Sequence, residues 1–371
     1  MSSLERAYWL GWSKVPGVGP TLLLRLHRQF GSLAVAWEAD AAALEQVEGV
    51  GKMTAAAMVA GRSPLNPAEL LAEHERTNPH FWTPADADYP QLLLEMPDPP
   101  PLLYYRGQVD GRENRGEVTA IAMVGTRTPS DYGRKWTGRI SKALALAGFT
   151  VVSGLAEGVD TEAHQACLDA GGRTIAVLGT GVNKVYPLSN RRLAQSIDQA
   201  GLIVSEYPWG TPPDRGNFPR RNRIIAGLCR ATLVLEAPAK SGALITARLA
   251  MDYNRDVYAL PGSLDNACAR GCLELINNGA QLILDEAHLL EMLGSIPCLD
   301  HASSTAPDSP VPPPLPPHLQ AVFAAIPTEA IALDHLVQQT GLDTGMLLGA
   351  LLELELMSLV SNLPGMRYQR T

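Results

Sequence analysis

The sequence predicts an α/β protein: a doubly wound, mainly parallel sheet, with a small helical segment before it and a small, mostly helical domain after it. Three observations predict this. Six apolar, β-branched runs alternate with segments of helix length between residues 118 and 262, the pattern of strands covered on both faces by crossover helices. Two phrases of the form V-x-G-V-G, "VPGVGPTLLLRL" at 15–26 and "VEGVGKMTAAAMV" at 47–59, each lead into helical apolar spacing. A proline-dense stretch, "HASSTAPDSPVPPPLPP" at 301–317, rules out helix and sheet and reads as an extended linker.

A second seam, "RTNPHFWTPADADYP" at 76–90, breaks a helical region with prolines and turn formers. The expected pieces are residues 1–78, 79–300 and 318–371, with 301–317 as linker. In the first piece, paired glycines permit a tight reversal, and the helix that follows opens with unpaired N–H groups able to hold an anion. These phrases resemble helix-hairpin-helix (SAM-like) motifs, which bind DNA backbones without sequence preference. Gly17, Gly19, Gly49, Gly51 and Lys52 are then the candidate backbone contacts. Pro20 removes one donor, and the segment carries seven Lys and Arg against eight Asp and Glu. A helical scaffold that keeps the turn but binds little phosphate is the standing alternative.

The middle piece takes its strands in order from "VTAIAMV", "FTVVS", "RTIAVLG", "GLIVSE", "ATLVLEA" and "DVYALPG". The last piece shows three helical patterns, "HLQAVFAAI", "AIALDHLVQQT" and "DTGMLLGALLELELM", then two brief extended runs, "SLVSN" and "MRYQR". This arrangement resembles a winged-helix domain. Its third helix carries Asp343, Glu353 and Glu355 and no Lys or Arg, which argues for a protein contact or core packing over groove reading.

Composition narrows the function. With 371 residues, 46% hydrophobic, the chain is long enough for two or three domains. The formal net charge of -8 makes any attraction to a polyanion local. Five cysteines form neither a CxxC pair nor an even disulfide set, which fits a reducing compartment. No run of about 18 apolar residues is found. The expectation is a cytoplasmic protein with no membrane association.

In a parallel sheet the loops leaving the strands gather at one edge, where ligands bind. Four such loops are rich in glycine and small residues: "VGTRTPS" at 124–130, "SGLAEGVD" at 153–160, "LGTGVNKVYP" at 178–187 and "APAKSGALIT" at 237–246. The run "RGNFPRRNR" at 215–223 adds four arginines in nine positions at the same edge. Arg127, Arg215, Arg220, Arg221 and Arg223 offer forked donors to phosphates, and Phe218 offers a flat face to a base, the usual recipe for single-stranded nucleic acid. One or two of these arginines are expected to pair with acids such as Glu206 or Asp214.

Enzyme signatures are thin. No P-loop and no G-x-G-x-x-G follows a strand, no His and Cys set has zinc spacing, and Ser153 and Ser241 lack a G-x-S-x-G elbow. Asp160 and His164 share one helix face and read as groups that fix a loop. No cofactor, metal or catalysis is expected.

Together these motifs closely resemble the DNA-processing protein A (DprA/Smf) family. The resemblance runs from "ADYPQLLLEMPDPPPLLYYRG" at 87–107 through "VGTRTPSDYG", "VVSGLAEGVDTEAHQACLDAGGRTIAVLGTGVNKVYP", "SEYPWGTPP", "NFPRRNRIIAG", "SGALITARLA", "LPG" and "LELINNGA". It implies an extended Rossmann-like domain and a dimer that binds single-stranded DNA. That dimer would protect the strand and load a RecA-type recombinase, in natural transformation and in DNA repair, with a single-strand-binding protein as a further partner. By motif match the DNA pocket would use Arg127, Ser153, Gly154, Gly181, Arg215, Gly216, Phe218, Arg221, Lys240, Ser241 and Gly242, with all four arginines of the 215–223 run facing phosphates. Leu275 and Ile276 would be dimer contacts. "ACARGCLE" departs from the more polar, glycine-containing segment expected after "PG". The rival from another class is a nucleotide phosphoribohydrolase-like enzyme on a related fold; its P-G-G-x-G-T-x-x-E loop is not matched, because "LPGSLDN" and "AKSGALIT" lack the glutamate.

Overall fold

All six apolar runs of the middle piece are strands in the computed structural model, which describes residues 3–78, 80–294, 316–326, 331–357, 359–363 and 367–370. Nine strands form one sheet: β1 (Phe81–Trp82), β2 (Leu103–Gly107), β3 (Ala120–Val124), β4 (Thr150–Ser153), β5 (Thr174–Leu178), β6 (Leu202–Ser205), β7 (Ala231–Val234), β8 (Asp256–Ala259) and β9 (Gln281–Leu282). Their order is β1-β2-β6-β5-β4-β3-β7-β8-β9. From β6 to β9 every pairing is parallel, while β2 joins β6, and β1 joins β2, antiparallel. The two antiparallel edge strands have no counterpart among the runs picked out above.

Alternation along the strands divides the core into two layers. On one face Ala122, Val124, Val152 and Val177 pack with Ile224, Ile225 and Ala247 from the Asn217–Gly227 and Ala243–Asp252 helices. On the other, Ile121, Met123, Val151 and Leu233 pack with Ile140, Leu144 and Val159 from the Asp131–Leu146 and Val159–Asp169 helices. The winding reverses at β3, which has β4 on one side and β7 on the other. The loops after β3 and β7 therefore part at the point where such sheets open a crevice.

The first seam lies between the Pro67–Thr77 helix and β1. A continuous core crosses it: Ala7, Leu10 and Leu71 pack in one cluster with Phe81, Tyr104, Leu178 and Ile203. Arg6 ties the same junction, donating to the Phe81 carbonyl at 2.9 Å with its guanidinium 4.3 Å above that ring. Residues Met1–His301 accordingly make one compact unit and Ala302–Thr371 a second. Within the helical segment, Gly17 and Gly49 take φ of +83° and +86°, conformations that favour glycine, and helices Pro20–Phe30 and Lys52–Arg62 follow.

The second unit has helices Pro317–Ala325, Leu333–Thr340 and Thr344–Leu356 over an antiparallel sheet of β10 (Ile331–Ala332), β11 (Val360–Leu363) and β12 (Arg367–Arg370), in the order β10-β12-β11. Leu319, Val322, Leu336, Leu347, Leu351 and Leu354 form its core. The third helix thus spends much of its leucine on packing. Of the proline-rich linker, residues 301–315 lie outside the described residues. Among the described residues no helix is long and apolar enough to cross a membrane.

Candidate nucleic-acid interface

The crevice at the switch point is an open cleft of about 670 Å³. The β3 loop gives it Gly125, Thr126 and Arg127; the β7 loop gives Pro238, Ser241 and Gly242; the Asn217–Gly227 helix and the turn before it give Arg215, Phe218, Arg221 and Asn222. A smaller recess beside it is lined by Arg127, Gly154, Glu157, Tyr186, Phe218 and Arg221.

Buried polar contacts set these loops. Glu236, just past β7, accepts from the backbone N–H and hydroxyl of Ser130, each at 2.7 Å, and from the Asn266 amide at 2.8 Å, while its carbonyl accepts from the Thr126 N–H at 2.6 Å. One residue thereby joins the loops after β3, β7 and β8. Asp160, at the start of the Val159–Asp169 helix, accepts from the Gly154 and Ala156 N–H groups at 3.1 and 3.3 Å and fixes the β4 loop. His164, fully buried, bonds through Nδ1 to the Thr174 hydroxyl at 2.7 Å. Both side chains thus hold loop and strand groups in place, and Asp160 also lines the cleft.

Arg221 forms the wall of the cleft and is only 4% exposed. Its Nη1 donates to the Val177 carbonyl, and its Nε is buried with no hydrogen-bond partner. Burial, against the pull of Asp160 and with help from the Arg127 charge, lowers its pKa to about 10. Burial likewise raises the Asp160 carboxyl, with Arg221 opposing. A buried cation with an orphaned donor beside a second cation is a site short of negative charge. Gly154 makes room for it: a Cβ there would come within 1.9 Å of Arg221 Nη1. Three helices of this edge start after Gly158, Gly216 and Gly242, which have no side chain to cap them, and their first N–H groups donate instead to the Thr126 carbonyl (Val159, 3.1 Å), the Asp214 carbonyl (Asn217, 3.2 Å) and the Ser241 hydroxyl (Ala243, 3.2 Å).

The arginines divide. Arg127, Arg215 and Arg220 are exposed and take part in no ion pair among the described residues. Arg223 is buried and spent on Glu206 and, at 3.2 Å, on Asp98. The expectation that all four arginines of the run face phosphates is therefore corrected: Arg223 braces the helix, because two acids reach it first. Glu206 is the expected kind of partner, whereas Asp214 accepts from the Gly216 N–H at 2.8 Å.

Phe218 stands against Gly179, where a Cβ would approach its ring to 2.9 Å, and Tyr186 tilts over it with centroids 5.5 Å apart. Tyr186 is 46% exposed and is the more open ring. It was not singled out from the sequence, although "KVYP" lies in one of the quoted loops.

The remaining candidates fall outside the lining. The Ser153 hydroxyl donates to the Met123 carbonyl at 2.6 Å and belongs to the sheet. Gly181 is buried, with Pro208 O 2.5 Å from where its Cβ would stand. Gly216 and Lys240 are exposed next to lining residues, at a helix start and a loop tip. Leu275 is in the main core and Ile276 packs against it, so Leu275 is occupied within one chain. Gly17, Gly19, Gly49, Gly51 and Lys52 form the two helix-start turns of the helical segment. "ACARGCLE" forms a short 3-10 turn and the Arg270–Asn277 helix.

The family model described as DNA recombination-mediator protein A matches residues 80–294. The chain belongs to that family. A DprA winged helix domain matches residues 306–366, and a SAM-like helix-hairpin-helix tandem matches residues 13–61. A relative in Synechocystis, Protein Smf, is 50% identical over 397 residues and covers 100% of both chains. The crystal structure of DNA processing protein A from Streptococcus pneumoniae is similar with a TM-score of 0.67 at 35% identity, over 77% of this chain and 97% of that one. The DNA processing protein A of Helicobacter pylori, whose structure was described for its single-stranded DNA binding mode, is similar at a TM-score of 0.52 and 32% identity, over 57% of this chain and 95% of that one. The family match spans β1 to β9, so the cleft lies inside the region shared with these relatives.

Proposed function

We propose that this chain binds single-stranded DNA in the cleft between the β3 and β7 loops, as a mediator that shields the strand and delivers it to a RecA-type recombinase. The observation that carries the reading is the combination, around one open cleft, of unpaired Arg127 and Arg215, the electron-poor Arg221 wall and an exposed aromatic, Tyr186. Phosphates answer the arginines and a base answers the ring. The relative from Helicobacter, described as binding single strands, supports the choice of ligand. Delivery to a recombinase, contact with a single-strand-binding protein, the roles in transformation and repair, and the cytoplasmic setting follow from family membership and belong to the proposal. So does a homodimer, in which two clefts on one strand would raise affinity through effective concentration.

Binding alone is proposed, with no bond cleaved. Arg127→Ala and Arg215→Ala each weaken single-strand affinity by about 2 kcal/mol, roughly thirtyfold, across all sequences. Fluorescence anisotropy with labelled oligonucleotides measures this; normal binding by both variants would sink the cleft assignment.

A further inference from the structure

Trp209 lies in the loop between β6 and the Asn217–Gly227 helix, is 50% exposed, and does not line the cleft. Hydrogen bonds fix its place on two sides. The Gly210 N–H donates to Asn183 Oδ1 at 2.8 Å and the Gly181 N–H to the Thr211 carbonyl at 3.1 Å, binding this loop to the one that carries Lys184 and Tyr186. The Trp209 N–H itself donates to Asn78 Oδ1 at 2.7 Å, and the Asn78 N–H to the His74 carbonyl at 2.8 Å, binding the loop to the end of the Pro67–Thr77 helix.

An aromatic half in water, on a loop hydrogen-bonded to the one that carries Lys184 and Tyr186, has the composition of a stacking step along a strand. Of the other tryptophans, Trp9, Trp12, Trp37 and Trp82 are buried and Trp136 packs half-buried against the core.

We propose that Trp209 is a second base-stacking platform, and that a bound single strand leaves the cleft past Tyr186 and crosses Trp209. This rests on the cleft reading above, which Arg127→Ala tests independently. The backbone N–H of Trp209 survives substitution, so the loop keeps its tie to Asn78 in every variant.

The test uses the full chain with single strands of about 5 and about 15 nucleotides. Trp209→Ala is expected to lose about tenfold in affinity for the longer strand and none for the shorter, and Trp209→Phe to restore most of the loss. Tryptophan emission should be quenched by the long strand in the native chain and not in Trp209→Phe, a change that a structural role would not produce. Lys184→Ala should lower the salt slope on the long strand by about 0.7. If Arg127→Ala loses binding while Trp209→Ala matches the native chain on both lengths, or weakens both equally, the second platform is overturned and the cleft stands. If Arg127→Ala and Arg215→Ala both bind normally, both readings fall.

Discussion

Arg221 and Gly154 show how one position of the site depends on another. The guanidinium can occupy the wall only because residue 154 has no Cβ, the built atom falling 1.9 Å from Nη1. Gly154→Ala is expected to displace Arg221, cost about 1–3 kcal/mol of stability and cut single-strand affinity, measured by denaturant melts and anisotropy. A variant with native stability and native affinity would show that the wall tolerates the shift. At this scale the sequence was informative about residue type and pointed to Glu206 as a partner, but not to which arginine it would take. That the 215–223 run carries an excess of cation is visible by eye; that Arg223 belongs to Glu206 and Asp98 while Arg215 belongs to no one is a fact of folding. The same holds for Ser153, whose hydroxyl turns into the sheet, and for Tyr186, whose exposure depends on how its loop folds over Phe218.

Elements were more legible, because strands buried on both faces must be apolar throughout and their spacing by helices is hard to mistake. β1, β2 and β9 escaped notice: two of them have two residues each, and β2 sits in a proline-rich stretch without alternation. β10 lay hidden at the start of a helical pattern. The Val159–Asp169 helix carries the clearest pH consequence. Its buried His164 has a pKa of about 3, against an ordinary 6.5, first because burial penalises the imidazolium and then because Arg221 repels it. The unfolded chain binds the proton more readily than the fold does, so this contribution is complete above pH 6.5 and lost as the pH falls towards 3. About 2 kcal/mol should be gone at pH 5. Denaturant unfolding at pH 7 and pH 5 reads this directly, and His164→Gln should flatten the difference; an unchanged slope in that variant would move the acid sensitivity elsewhere.

Over the whole molecule the division of labour follows the two compact units. Residues 1–301 hold the sheet, the cleft and the helical segment, and residues 302–371 hold the winged helix, whose third helix has no cation to offer DNA. A chain ending at 301 should therefore keep single-strand affinity within about twofold; a large loss would assign DNA contact to the winged helix. The division of the two units at His301 and Ala302 falls at the start of the proline-rich stretch. The shared core across residues 78 and 79 was not legible in the sequence, since a cluster that joins Leu10 to Phe81 and Ile203 leaves no local signal. The central claim is that a locally basic cleft on an acidic protein selects single strands. Its most direct test is anisotropy with single-stranded and duplex oligonucleotides of equal length across a salt series. The account predicts tight preference for the single strand, with affinity falling at a log-log slope of about 0.7 per phosphate neutralised and paired bases denied to Tyr186 and Phe218. Equal binding to both forms, or binding insensitive to salt, would contradict it.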